Sequence, residues 1–419
     1  MPFFAEAMIH FKKQQLANGL RVIVHEDNST PLAAVNILYN VGSRDESPNK
    51  TGFAHLFEHL MFGGSKNIEV FDVPLQMAGG ENNAFTSTDI TNYYETLPAQ
   101  NLETAFWLES DRMNELDFSE HALDVQRKVV SEEFKEHYIN QPYGDVWHKL
   151  RALAFTTHPY QWPTIGKKLE HIEQAHLNEV KDFFFKYYRP NNAILVVAGK
   201  VNSDEVFSLA EKYFGGIPAG TNGAKHLPHE PQQTEERKLT VNADVPLDAI
   251  YKAWHFPART QKEFYAADLI SDLLSGGKSG RLFQALVKER KLFSEINCYQ
   301  TGSIDPGLLV LEGKLIRGVK MDTAEQAILE ELGKLKSGNI DEHELNKVKN
   351  HVESQLIFSE TELLNKAMNL AFAELLGDAE LANKEIEKYL AVSAGEILLQ
   401  ASTILRAENC STLYYYSKN

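Results

Sequence analysis

The chain has 419 residues, of which 43% are hydrophobic and 24% charged, values typical of a folded protein with more than one core. Its formal net charge of −16 argues against binding to a nucleic-acid backbone, which requires clustered lysine and arginine. Two cysteines without close spacing argue against a disulfide scaffold, and no apolar run reaches the roughly 18 residues of a membrane span.

The first half of the chain predicts alternating strands and helices. Helical patterns precede Gly63 and cover 102–116, 121–138 and 177–188, while β-branched and aromatic runs favour strands at 20–26, 33–41, 82–97 and 192–199. Residues 215–237 are rich in glycine, proline and polar side chains, which indicates a linker.

After the linker the pattern repeats. AHLFEHLMFGG (54–64) aligns with ADLISDLLSGG (267–277), and residues 122–134 align with 344–356. Repeats of this length predict duplicated halves. We therefore divide the chain into an N-terminal half at 1–214, the linker at 215–237 and a homologous C-terminal half at 238–419.

The stretch GFAHLFEHLMFGGS (52–65) places three polar residues in an apolar helix. Residues three and four apart share a helix face, so His55 and His59 can present two imidazoles to one point, with Glu58 beside them. This H-x-x-E-H pattern is typical of a zinc site with its own carboxylate base. The alternative is a chance pair of half-buried histidines. The second copy keeps the apolar positions and the Gly-Gly stop but has other residues at the polar positions: Asp268, Ser271 and Asp272.

A third ligand is expected from another helix, and the helix at 121–138 offers Glu132 and Glu133. At about 100° per residue, Leu123, Val130 and Phe134 define its buried stripe. Glu133 lies on the flank of that stripe, whereas Glu132 points towards solvent. We therefore choose Glu133.

HLFEH followed by the glutamate of RKVVSEE resembles the pitrilysin family of inverzincin peptidases, and the resemblance extends through NGLRVIVHED, YNVGSRDES and GGENNAFTSTDITNYYETLP. It implies an α+β fold of two homologous α/β sandwich halves, each a mostly antiparallel sheet with helices packed on one side. It also implies one zinc ion per chain, bound by His55, His59 and Glu133, with Glu58 as general base. Peptide substrates would add as a strand along four residues: Asn83, Ala84, Phe85 and Thr86.

Two departures from the family pattern affect function. Gln126 stands where many members have a glutamate that contacts a ligand from behind. Single-chain members also have an Arg–Tyr pair in the second half that holds the substrate carbonyl, whereas this chain has Val287 and Ser294 there, and Arg290 has the wrong spacing. A chain that lacks this pair resembles one subunit of a two-chain enzyme.

The sequence thus predicts a zinc endopeptidase subunit that cleaves peptides or unfolded polypeptides, with a homologous partner as heterodimer or homodimer. The alternative is a non-catalytic scaffold or partner subunit of the same fold. No nucleic-acid partner and no membrane span are expected. The N-terminus does not look like a signal peptide, so we expect a cytoplasmic location, or a periplasmic one if a signal peptide was removed.

Overall fold

The computed structural model describes residues 8–221 and 225–418. The chain forms two compact units, each of which takes a segment from both sides of the predicted linker. Unit 1 comprises Met1–Glu136, Trp162–Leu227 and Leu356–Lys384. Unit 2 comprises His137–Gln161, Pro228–Gln355 and Glu385–Asn419.

Each unit contains one sheet within the described residues. The strands are β1 (Lys12–Gln15), β2 (Arg21–Glu26), β3 (Leu32–Tyr39), β4 (Glu81–Thr86), β5 (Thr91–Pro98), β6 (Ala193–Gly199), β7 (Arg237–Ala243), β8 (Ala249–Phe256), β9 (Phe293–Gln300), β10 (Gly307–Leu315) and β11 (Cys410–Ser417).

The α-helices of the described residues surround these two sheets. They are α1 (Phe53–Leu60), α2 (Asp72–Met77), α3 (Leu102–Asn114), α4 (Glu120–Phe134), α5 (Val146–Ala154), α6 (Leu169–Glu173), α7 (Leu177–Tyr187), α8 (Ser203–Phe214), α9 (Glu263–Ser275), α10 (Met321–Ser337), α11 (Glu342–Ser359), α12 (Leu363–Leu375), α13 (Glu385–Ala391) and α14 (Ala394–Ile404).

The sheet of unit 1 has the order β1-β2-β6-β3-β5-β4, so β4 is a terminal strand with one free edge. All its neighbouring strands are antiparallel except β2 and β6. The central strand β6 is buried along its whole length, as expected for a strand covered on both faces. Helices α1 and α3 lie on one face, and α12 packs against β3 and β6. Glu374 of α12 accepts a hydrogen bond from Lys13 of β1, and Lys13 pairs with Ile23 of β2.

The sheet of unit 2 has the order β7-β11-β8-β10-β9 and is antiparallel except for the β7–β11 pair. Its core includes α5, whose residues Val146, Leu150 and Ala154 are buried against Leu413 and Val310 of the sheet. Because these apolar residues recur at four-residue intervals, they form one helix face that removes a continuous stripe from water.

The predicted α+β class with two mostly antiparallel sheets is confirmed. Helix α12 also packs on the sheet of unit 1. The sequence of the N-terminal half could not predict this contact, because α12 lies after the linker. No helix in residues 8–221 and 225–418 is both long and apolar enough to cross a lipid bilayer.

Candidate metal centre

Helix α1 has an apolar face that fixes its position in unit 1. Ala54 and Phe57 are fully buried, and the Phe57 ring stacks on Phe183 at 5.1 Å and on Tyr188 at 5.2 Å between ring centroids. Each such aromatic pair adds roughly 0.5–1.5 kcal/mol beyond the burial of its area. The apolar face thus holds α1 firmly enough to present its polar side chains in a defined direction.

Those polar side chains meet Glu133 of α4. The Nε2 atom of His55 lies 3.6 Å from Oε1 of Glu133, and Nε2 of His59 lies 3.4 Å from Oε2. The donor atoms of these three residues all lie within 4.8 Å of one another, and the two imidazole rings are nearly perpendicular at 86°. The structure therefore brings the three predicted ligands together, while their role in binding metal stays a prediction.

The two separations between an imidazole nitrogen and a Glu133 oxygen are compatible with a metal ion held by all three residues. Both exceed the 2.7–3.2 Å typical of an N–H···O hydrogen bond. Ligand atoms about 2.0–2.2 Å from a tetrahedral zinc lie roughly 3.3–3.6 Å apart, which is the spacing seen here. Burial lowers the pKa of His55 to about 4, so its imidazole is neutral at pH 7, as a metal ligand must be.

Glu58 lies on the same helix, and its contact is with strand β4. The Thr86 hydroxyl donates a hydrogen bond of 2.5 Å to Oε2 of Glu58. Burial raises the pKa of Glu58, although this hydrogen bond opposes the rise. A half-buried carboxylate of raised pKa accepts a proton more readily than an exposed one.

The predicted substrate residues lie on the terminal strand β4. Along this strand Asn83 and Phe85 are exposed, while Ala84 and Thr86 are half-buried on the alternate face. The backbone N–H of Ala84 donates to the side chain of its own neighbour, Asn83, at 2.8 Å. Since β5 pairs with only one side of β4, the other edge has no partner strand among the described residues of unit 1.

Two other residues that the sequence singled out, Glu132 and Gln126, lie on α4 together with Glu133. Glu132 is exposed and forms an ion pair with Lys135, as its position on the helical wheel predicts. The Gln126 side-chain amide lies against Gly63, with its Nε2 atom 3.6 Å from where a β-carbon on that glycine would stand. Within the described part of the chain, Gln126 makes no hydrogen bond to the three candidate ligands.

Sequence reasoning missed two contacts of this centre. It assigned Thr86 to substrate binding but gave its hydroxyl no partner, because strand periodicity does not reveal which helix lies beneath. It also overlooked Glu46, whose carboxylate accepts hydrogen bonds from the backbone N–H groups of Gly52 and Ala54 at the start of α1. The short distance along the chain between Glu46 and the motif was the available signal.

Two histidines and a glutamate within H-x-x-E-H, joined by a glutamate from a second helix, are the residue pattern typical of inverzincin peptidases. Residues 21–168 match the family model described as insulinase, peptidase family M16, and residues 175–352 match the model described as peptidase M16 inactive domain. The chain belongs to the M16 peptidase family, and the predicted membership of the pitrilysin family is confirmed.

Named relatives agree with this membership. The zinc protease PqqE of Helicobacter pylori is 34% identical over 82% of this chain and 78% of its own length. A crystal structure of a protease from Helicobacter pylori is similar with a TM-score of 0.91 and 30% identity, over 97% of this chain and 100% of that one. A peptidase M16 inactive domain from Pseudomonas fluorescens has a TM-score of 0.86 at 16% identity, covering 98% of each chain, and shows the fold alone.

Proposed function

We propose that this chain is a zinc-dependent endopeptidase subunit that hydrolyses peptides or unfolded polypeptides and binds one zinc ion. The observation that carries the proposal is the meeting of His55, His59 and Glu133 within 4.8 Å, beside a carboxylate that faces an open strand edge. Relatives named zinc proteases support the choice of metal and reaction.

In this proposal the three ligands hold the ion through two imidazole nitrogens and one carboxylate. Three protein ligands leave a fourth position open, the arrangement of catalytic rather than structural zinc sites. Bound zinc would supply a Lewis acid that polarises a water molecule and a substrate carbonyl.

Glu58 would move the proton. Its carboxylate takes a proton from the attacking water and later delivers it to the leaving amine. The Thr86 hydroxyl holds Oε2 of Glu58 through the 2.5 Å hydrogen bond, which fixes the orientation of the carboxylate. The elevated pKa of Glu58, caused by burial, favours the protonated form that the second transfer needs.

The substrate would bind along the free edge of β4. Edge strands accept an extended peptide through main-chain hydrogen bonds, so affinity does not depend on one particular sequence. The backbone N–H of Ala84 would exchange its contact with Asn83 for a substrate carbonyl. Thr86 is the last residue of β4 and touches Glu58, so a peptide on this edge runs past the base.

The decisive experiment compares Glu58→Gln with the original protein. The variant should retain zinc, measured by atomic absorption, and lose cleavage of a quenched fluorescent peptide. Glu132→Gln, an exposed neighbour of Glu133 on α4, is the matched control and should retain both properties. Unchanged turnover by Glu58→Gln would exclude Glu58 as the base, and a correctly folded protein that binds no zinc would refute the function.

We also propose that the active enzyme contains a homologous partner chain. Val287 and Ser294 occupy the positions at which single-chain members have the Arg–Tyr pair, so this chain lacks that pair in the segment. Removal of one such donor costs on the order of 10²–10³ in rate. A homologue with the pair would supply it.

The second candidate is a non-catalytic subunit. The model matched by residues 175–352 is described as an inactive domain, and those residues exclude all four members of the candidate centre. This description therefore concerns the part of the chain without the H-x-x-E-H motif. Zinc binding by the isolated chain, together with turnover once a partner with the Arg–Tyr pair is added, separates the first candidate from the second.

A further inference from the structure

The N-cap residue of helix α1 supplies no side-chain cap of its own. Its N-cap residue is Gly52, which has a φ of 88° and no side chain to accept the first N–H groups. A β-carbon at Gly52 would lie 2.6 Å from the backbone oxygen of Ile165, so a capping serine or aspartate cannot replace it. The first turn must therefore be capped by another residue.

Glu46 performs this capping from the preceding loop. Its Oε2 atom accepts the N–H of Gly52 at 2.9 Å, and its Oε1 atom accepts the N–H of Ala54 at 2.8 Å. The indole N–H of Trp162 donates to the same Oε2 at 3.1 Å and to the backbone oxygen of Ser43 at 3.0 Å. Glu46 is 6% exposed and Trp162 is 1% exposed, so water does not compete for these bonds.

This cap acts next to a candidate metal ligand. His55 follows Ala54 directly and is the third residue of α1. A metal-binding histidine is usually oriented by a hydrogen bond on its second ring nitrogen. The buried Nδ1 atom of His55 has no such partner among the described residues. The position of this ring therefore depends on the backbone of the first turn.

We propose that Glu46 is a positioning residue of the metal centre, which fixes the first turn of α1 and thereby the imidazole of His55. The inference rests on the proposed role of His55 as a zinc ligand. Within the described part of the chain, Glu46 forms no hydrogen bond with the three candidate ligands or with β4, so it acts through the backbone of the first turn. A glutamine at this position keeps one oxygen but turns an N–H₂ group towards an N–H donor.

The test measures metal binding by the full-length chain. Glu46→Gln should bind zinc about tenfold more weakly in competition with a chromophoric chelator, the order of loss seen when a ligand's supporting contact is removed. The cobalt(II)-substituted protein should also show an altered visible spectrum, because that spectrum reports ligand geometry. Circular dichroism of the metal-free protein verifies that the variant is folded.

Glu230→Gln is the matched control, because Glu230 also accepts backbone N–H groups, from Thr156, Thr157 and His158, but lies in unit 2. It should leave zinc affinity and the cobalt spectrum unchanged. If Glu46→Gln does not fold, Trp162→Phe tests the same cap by removing one donor, with Trp254→Phe as its control, and should weaken zinc binding to a smaller extent.

Two outcomes have separate meanings. A folded Glu46→Gln protein, or Trp162→Phe in its place, with the zinc affinity and cobalt spectrum of the original chain would overturn the role of Glu46. Failure of the original chain itself to bind zinc would instead refute the proposed function, and this result is obtained without any variant.

Discussion

Thr86 offers the sharpest test of how the strand edge and the base work together. Replacement by valine removes the hydroxyl that donates to Glu58 but keeps the size and branching of the side chain. A hydrogen bond to a charged group contributes about 1.5–3 kcal/mol. Since every 1.36 kcal/mol is a factor of ten in rate, and water can reach this half-buried site, we expect kcat to fall by roughly tenfold.

The same substitution should leave KM nearly unchanged. Substrate binding along β4 uses main-chain hydrogen bonds, which valine retains. Thr86→Ser keeps the hydroxyl and should restore most of the lost kcat. The assay is steady-state cleavage of a quenched fluorescent peptide by whichever form of the enzyme turns over, alone or with a partner.

Two results would contradict this reasoning. An unchanged kcat in Thr86→Val would show that the hydroxyl does not orient Glu58. A rise in KM at constant kcat would instead assign Thr86 to substrate binding alone, because loss of uniform binding affects KM and not kcat. Measured zinc content must equal that of the original protein in either case.

Three further predictions follow from the same geometry. His59→Ala should lose bound zinc, whereas His121→Ala, an exposed histidine on α4, should retain it; equal zinc contents would exclude His59 as a ligand. The chain alone should cleave peptides feebly, and a homologue with the Arg–Tyr pair should raise the rate by on the order of 10²-fold; full activity of the isolated chain would refute the need for a partner. Asp272→Asn should raise the free energy of unfolding by about 3 kcal/mol at pH 8, because burial and Asp268 raise the pKa of Asp272 to about 6 from the ordinary 3.8. The folded state favours the protonated form of Asp272, so the original protein loses stability as pH rises from 3.8 through 6, and an asparagine avoids this loss. Urea titrations should therefore show the gain of the variant at pH 8 and little of it at pH 4.

The candidate ligands could be predicted because helical geometry is local. The spacing of His55 and His59 puts both rings on one face, and the wheel of α4 separates Glu133 from Glu132 without knowledge of the fold. The structure has Glu133 beside both imidazoles and Glu132 in an exposed ion pair with Lys135. The identity of β4 as a strand was equally accessible from its residue types.

Contacts between distant segments could not be predicted in this way. The Thr86–Glu58 hydrogen bond requires α1 to lie across one end of β4, which depends on the packing of Phe57 against α7. Packing between distant segments also decides which parts of the chain belong to each unit. Helix α5 lies before the predicted linker, yet its apolar face is buried against the sheet of unit 2, because burial area and not chain order decides which core a helix joins.

Helix α9 is the second copy of the motif helix α1, and it folds with other residues at the polar positions. Asp268, at the position of His55, accepts a 2.5 Å hydrogen bond from Tyr389, and Ser271, at the position of Glu58, donates to the backbone oxygen of Asp268. Both contacts satisfy polar groups within unit 2 and require no metal. The α9 helix keeps its buried apolar face, so the scaffold is stable without two histidines and a glutamate.

In α1 the corresponding polar residues are arranged differently. The Nε2 atoms of His55 and His59 lie 3.6 Å and 3.4 Å from the two carboxylate oxygens of Glu133, so three potential ligand atoms surround one point. Ligand atoms around a tetrahedral zinc ion lie at about the same separations, roughly 3.3–3.6 Å. A cation among these atoms would be bound by all three residues at once, whereas Asp268 and Ser271 of α9 already form hydrogen bonds within unit 2, which is the reason to expect metal at α1 and not at α9.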